Sequence, residues 1–302
     1  MSITLISNNS NSNCESMNIT DNIEFVGSVN IDPIVRIKPI KLAAGLTVAF
    51  SDITFQIDSM VTVSALESTI KFTNCKFIYA GNNNSVGGYI QFAIDKLILD
   101  KCEFDDITAW IIMDEPTDLK SHSNINKHEQ CFVDIAAPSD ELTHLSITHC
   151  KFSKSIIQID SMTRYVRCNI VSNEFDLCHQ CVFVKAKGIM TVNNNKFSRC
   201  HSALSLQCVC KLIFNDNTGH LDMPIKNVSV LINNIHKNIP IDISVRDNSI
   251  NCRQLISAGG IDQLKPTSDG VYKYSSEKLD TISKATNPNP IMARIPGFRI
   301  IN

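Results

Sequence analysis

The chain has 302 residues, with 28 Lys plus Arg against 30 Asp plus Glu, 43 % hydrophobic residues and 19 % charged ones. This near-neutral balance lacks the basic excess that drives phosphate-backbone binding, which excludes a general nucleic-acid binder. The apolar fraction suffices for a core, and no apolar run approaches the roughly 18 residues of a membrane-spanning helix.

Residues 1–20 are rich in Asn and Ser with little periodicity, the composition of a mobile tail. They show neither a positive n-region nor an apolar h-region, so classical secretion is not expected. The 12 cysteines recur inside strand-like runs of a long chain. That placement suits small buried thiols in a reducing compartment better than a disulfide framework.

From residue 21 the chain becomes β-like. Val35-Arg36-Ile37-Lys38, Leu46 to Phe50, Ile53 to Ile57 and Val61-Thr62-Val63 alternate and are rich in β-branched residues. Residues 21–50 read as an N-terminal cap that leads into a first coil. Strand-like copies then follow one another. Ser68 to Phe77, Lys96 to Phe104, His144 to Phe152, Tyr165 to Phe175, Ile189 to Phe197 and Leu212 to Thr218 each end in Asn or Cys, one residue, then usually Phe. A second short strand precedes most copies: Tyr89–Ile94, Cys131–Ile135, Ile156–Ile159, Cys181–Val184 and Ala203–Leu206.

The spacing is nearly fixed. Asn173, Asn195 and Asn217 stand 22 residues apart, and Cys150 lies 23 before the first of them. A period this short cannot be a domain; it is one turn of a solenoid whose coils stack on each other. Stacking predicts an amide ladder through the three asparagines, with Cys75, Cys102 and Cys150 holding the same place in earlier coils. It also predicts an inward column of Phe77, Phe104, Phe152, Phe175 and Phe197. Asn suits such a corner because it tolerates the left-handed conformation and its amide can bond the backbone.

Cys102 to Cys150 spans 48 residues, read as about two coils, with the polar stretch 114–130 projecting as a side loop. From 258 the composition shifts. Residues 258–275 look loop-like, Ser276 to Ala285 suits a short helix, and 286–302 reads as an extended tail that covers the last coil or exchanges with a neighbouring subunit.

Short strands, a ~22-residue coil and Asn at a turn resemble the right-handed parallel β-helix of the pectin-lyase-like superfamily over roughly 50–250. The resemblance is one of architecture, and it implies an all-β solenoid in 21–257. It transfers no catalytic residue, since the Gly-His-Gly of polygalacturonase-like members is absent. β-helices of this kind also resemble viral spike and tail modules, which commonly act as trimers.

Two constellations are candidates for chemistry. Asp95, Asp134 and Asp160 end leading strands, and stacking in register would set Asp134 and Asp160 about 5 Å apart. Such a pair could act as acid and nucleophile on a polysaccharide or bind Ca²⁺ with Asp95, and Lys185 on the next coil would be a cationic partner. Alternatively these are solvated strand ends. The second constellation is Cys178, Cys181, Cys200 and His201, where Cys178 and Cys181 have zinc-like spacing. The repeat by itself already accounts for Cys178 and Cys200 as stacked equivalents. His122 and His128 in the side loop are weak binding candidates.

The function these features favour is a non-enzymatic rigid structural or interaction protein, in the host-cell cytoplasm or in a virus or phage particle. Its expected partner is another protein or further copies of itself, as a trimer in the spike-like case. No cofactor is expected. A polysaccharide lyase or glycoside hydrolase on the outward carboxylates, with a glycan as ligand, is the alternative.

Overall fold

The computed structural model describes residues 2–5, 16–27, 34–58, 60–81, 88–112, 143–207, 209–222, 228–232, 242–252, 254–258 and 271–273. Their regular structure is all β, and almost every strand pairing is parallel and in register with the equivalent strand of the next coil. The protein is a parallel β-solenoid.

Each complete coil holds three strand segments. The leading and second segments often run through one bent strand, as in Met60–Thr73, Gly88–Asp100, Ile156–Val171 and Gln180–Asn193. Their pairings form a 17-stranded sheet. The third segment is short, as in Lys76–Tyr79, Glu103–Asp105, Lys151–Ser153 and Glu174–Asp176, and builds a nine-stranded sheet. Alternating burial along these strands follows from their period of two: inward Val, Ile, Leu and Phe, outward polar residues.

The interior is organised in columns. Phe55, Phe77, Phe104, Phe152, Phe175 and Phe197 are all fully buried and stack face to face at 4.6–5.3 Å between ring centroids. A second column, Phe25, Phe50 and Phe72, stacks at 4.9 and 5.0 Å and meets the first edge-on. At the far end Gly219 takes the phenylalanine place opposite Phe197. A Cβ there would lie 2.1 Å from the Phe197 carbonyl oxygen, so only glycine fits. Phe214, from the second segment, leans over the Phe197 ring instead, 6.4 Å away.

One corner holds the amide ladder. Asn195 Oδ1 accepts the backbone N–H of Asn173 at 2.9 Å and its side-chain N–H at 3.0 Å, while Asn195 Nδ2 donates to the Ile170 carbonyl at 2.9 Å. Asn217 does the same for Asn195, and Asn248 for Asn217. Below them the Cys150 N–H donates to Asn173 Oδ1 and the Cys102 N–H to Cys150 Sγ. The ladder therefore runs through cysteine and asparagine alike, as the spacing predicts. The left-handed residue is the one before each ladder position: Asn74, Lys101, His149, Ser172, Asn194, Asp216 and Asp247 all have φ of 51–58°. The ladder amides themselves are buried caps; their neighbours make the turn.

A second corner repeats the device. Asp106, Lys154, Leu177 and Arg199 have positive φ, and the buried residues after them are Ile107, Ser155, Cys178 and Cys200. Ser155 Oγ donates to the Ser153 and Phe104 carbonyls, and Cys178 Sγ donates to the equivalent Asp176 and Phe152 carbonyls.

Several sequence expectations are corrected. The stretch 1–20, read as a mobile tail, contributes Ser2–Leu5 and Met17–Ile19, paired in parallel with Ile23–Gly27 and Ile40–Leu42. Residues 21–50 are coil rungs rather than a separate cap: Ile34–Arg36 already pairs with Thr54–Ile57. Their strands are short, which hides the period. Cys102 to Cys150 is one coil, because Lys96 pairs directly with His144 and Glu103 with Lys151. The extra length is a single insertion between Ile107–Ile112 and Thr143–Thr148. Val271–Lys273, in the stretch read as loop, pairs antiparallel with Asp242–Arg246. The side loop 114–130, the helix read at 276–285 and the tail 286–302 lie outside the described residues.

Two predictions follow from the corners. Asn195→Ala removes the acceptor of two buried donors and the donor to Ile170, and should cost about 2–5 kcal/mol in chemical unfolding. Asn195→Cys should cost less, since Cys102 and Cys150 already serve in that column. Leu177 holds φ of 54° with its side chain 43 % exposed. Leu177→Asn or Leu177→Gly should therefore stabilise the fold by about 1 kcal/mol, read by the same unfolding curves.

Candidate functional site

The outward face of the leading segments is set by rung register. Asp160 pairs with Ile112 on the preceding coil and with Lys185 on the following one. The expected neighbour, Asp134, lies outside the described residues, and its place beside Asp160 is taken by Ile112. The displacement follows from counting one coil as two. Asp95 is not part of this group. It sits at a register shift two coils from Asp160, and its Oδ2 accepts the backbone N–H of left-handed Glu67 at 2.7 Å. That carboxylate caps a corner.

What remains of the expected acidic cluster is one half-buried carboxylate beside one half-buried ammonium, Asp160 and Lys185, on adjacent rungs. Strand spacing puts their backbones about 4.8 Å apart. The pair can bind a polar or charged group, but it is not the two-carboxylate arrangement of glycoside hydrolysis. Asp105 and Asp106 are adjacent in sequence and exposed, and Asp106 is a left-handed corner residue.

The second constellation does converge. The sulfurs of Cys178, Cys181 and Cys200 all lie within 4.8 Å of one another, and the three side chains are 0–1 % exposed. Cys178 and Cys200 occupy the same corner place on adjacent coils, and Cys181, three residues after Cys178, is the second residue of the strand Gln180–Asn193. The thiols share hydrogen bonds. Bonds from Cys178 and Cys181 pull the Cys200 thiol below its ordinary value against the opposing effect of burial. Burial pushes Cys181 well above its ordinary value. All nine cysteines among the described residues are unbridged. His201 does not join the thiols: its ring stacks on His179 with centroids 4.4 Å apart, and its Nδ1 faces Asp222 Oδ2 at 3.5 Å. His122 and His128 lie outside the described residues.

Sequence reasoning missed two surface features. Lys76, Glu103, Lys151, Glu174 and Lys196 follow one another on successive rungs of the nine-stranded sheet. Glu103 is 3.8 Å from Lys76 and 3.7 Å from Lys151. The signal was present in the repeat, as the residue before each phenylalanine. The other is Asp100, whose Oδ1 accepts from Thr148 at 2.9 Å and lies 3.2 Å from His149 Nδ1. Partial burial works against its charge, but the Thr148 hydroxyl, His149 and Lys101 together hold this carboxyl below its ordinary value.

The imidazole pair supplies a pH prediction. Burial, and then the charge of His201, lower the pKa of His179. The unfolded chain therefore binds more protons below the ordinary histidine value of about 6.5, and stability rises with pH through that window. The contribution is fully present above about pH 6.5 and is lost as pH falls through the folded-state pKa. An NMR titration should place His179 below the ordinary histidine value, and His201→Ala should move it back up.

Compared with protein-family models, with curated proteins and with solved structures, the chain gives no match. The fold and the placement of its side chains are therefore the grounds for any functional reading.

Proposed function

We propose that the protein is a non-enzymatic rigid structural and interaction protein, a particle or attachment component acting in the host-cell cytoplasm or in a virion. The observation that supports this most is the continuous inward filling of the solenoid. Phenyl rings stack from Phe55 to Phe197 and ladder amides from Asn173 to Asn248, so the coils are held together by apolar contacts over most of the solenoid and by a polar ladder over its later coils. Such a body is stiff along its axis and suits the display of loops at its side. The stretch between Ile112 and Thr143 is the longest between two described segments of one coil, and it is the proposed contact for a protein partner.

The enzyme reading keeps one favourable observation, the carboxylate of Asp160 one rung from the ammonium of Lys185. Among the described residues no second carboxylate stands beside Asp160 on an adjacent rung, and a hydrolase would rely on one. A polysaccharide lyase or hydrolase is therefore the rival, with a glycan as its ligand.

Three measurements separate the readings. Wild type and Asp160→Asn assayed on a panel of acidic polysaccharides should both be inactive; turnover by wild type that the substitution abolishes overturns the scaffold reading. Native mass should show self-association, with a trimer expected for a spike-like component, and deleting 116–129 should abolish capture of the protein partner while leaving the unfolding midpoint in place. A monomer whose partner binding survives the deletion overturns the assignment of the insertion.

A further inference from the structure

We propose that Cys178, Cys181 and Cys200 form a buried trigonal thiolate site for a soft monovalent d¹⁰ cation, of which copper(I) is the biological member. The ligand type and number point to it. Three sulfurs lie within 4.8 Å of one another with no carboxylate or imidazole among them, so the site offers three soft donors. Zinc prefers a closed set of four ligands, and the nearest sequence candidate, His201, is turned outward against His179 and Asp222. Thiolate donors select copper(I) among the common metals, and that ion accepts three-coordination.

The packing around the sulfurs also separates this cluster from ordinary stacked thiols. Cys75, Cys102 and Cys150 occupy one column on three successive coils. Their outer members are two rungs apart, roughly 10 Å by strand spacing, so three sulfurs there cannot meet one ion. At the other corner only two column places are cysteines, Cys178 and Cys200, with Ser155 on the coil before and Leu221 on the coil after. The third sulfur comes sideways from Cys181 on the leading strand. Between the register pairs Gln180–Ser202 and Val182–Leu204, the residue after Cys181 along its own column is Ala203, and its side chain is a single methyl. The three sulfurs thus form a triangle instead of a line.

Binding is acid–base chemistry without electron transfer. Three sulfur–metal bonds form, three S–H bonds break, and three protons leave to solvent. The site gains a net charge of minus two relative to the three thiols. At this corner Arg199 pairs with Asp176 and His201 faces Asp222, so the charge of the site is left to the three sulfurs and the ion. Removal of one ligand should therefore weaken binding sharply, whereas removal of a cysteine elsewhere should not.

The test is an anaerobic titration of the reduced full chain with copper(I) against a competing chromogenic chelator. Wild type should retain one equivalent, with a thiolate-to-copper charge-transfer band in the ultraviolet. Cys181→Ser and Cys178→Ser should each weaken retention by more than about tenfold, a loss at least as large as changes around a metal's ligands bring. Cys178→Ser is already accommodated one coil earlier, where Ser155 makes the same carbonyl hydrogen bonds. Cys75→Ser should leave retention unchanged. Copper(I) should also raise the thermal midpoint of wild type, which keeps the idea testable if a serine variant misfolds. No retained copper and no rise in midpoint in wild type, or equal retention in Cys181→Ser, overturns the site.

Discussion

Everything in this molecule depends on parallel strands meeting their equivalents on the next coil in strict register. Backbone pairing alone would hold the flat faces, but a coil must also turn, and a turn interrupts the strand. The corners solve this by pairing a left-handed residue with a buried side chain that takes over the hydrogen bonding. At Ser172-Asn173, Asn194-Asn195 and Asp216-Asn217 the first residue bends the chain and sends its own N–H to the next coil. The second residue points inward, where its buried amide bonds the backbone of the coil below. A buried amide left half-paired would be costly, so the ladder rewards a neighbour of the same kind.

The same logic explains why cysteine and asparagine share a column. Both are small, and both can accept the N–H of the coil before. Cys150 accepts from Cys102 and itself donates its N–H to Asn173, which makes it the junction between the thiol and amide parts of the ladder. Aromatic packing follows the coils in turn. Where Gly219 removes a ring from the column, Phe214 on the neighbouring face supplies one, so the interior stays filled while its composition drifts.

Rigid stacking also shapes the chemistry the surface can offer. Outward residues form columns at about the strand spacing, which brings unlike charges together in Lys76, Glu103 and Lys151 and sets Asp160 beside Lys185. These are exposed or half-exposed pairs, worth little individually but consistent along the axis. Beneath the surface the same regularity usually keeps identical side chains in single file. The triangle at Cys178, Cys181 and Cys200 arises because a strand begins two residues after the Cys178 corner position and brings Cys181 in from the side.

The near-constant interval of Asn173, Asn195 and Asn217, with a phenylalanine two residues after the first two, determined the solenoid, the amide ladder and the aromatic column, because stacked coils repeat what each coil does. The sequence alone did not decide how many coils lie between Cys102 and Cys150, since an insertion adds length without adding a rung and only strand pairing can tell the two apart. For the same reason it misplaced the carboxylates: Asp134 was set beside Asp160 by counting, while the backbone sets Ile112 there. The convergence of three thiols was equally out of reach, because residues 178, 181 and 200 become neighbours only when one coil closes onto the next. Local pattern decides what a coil is made of; tertiary register decides which coils touch.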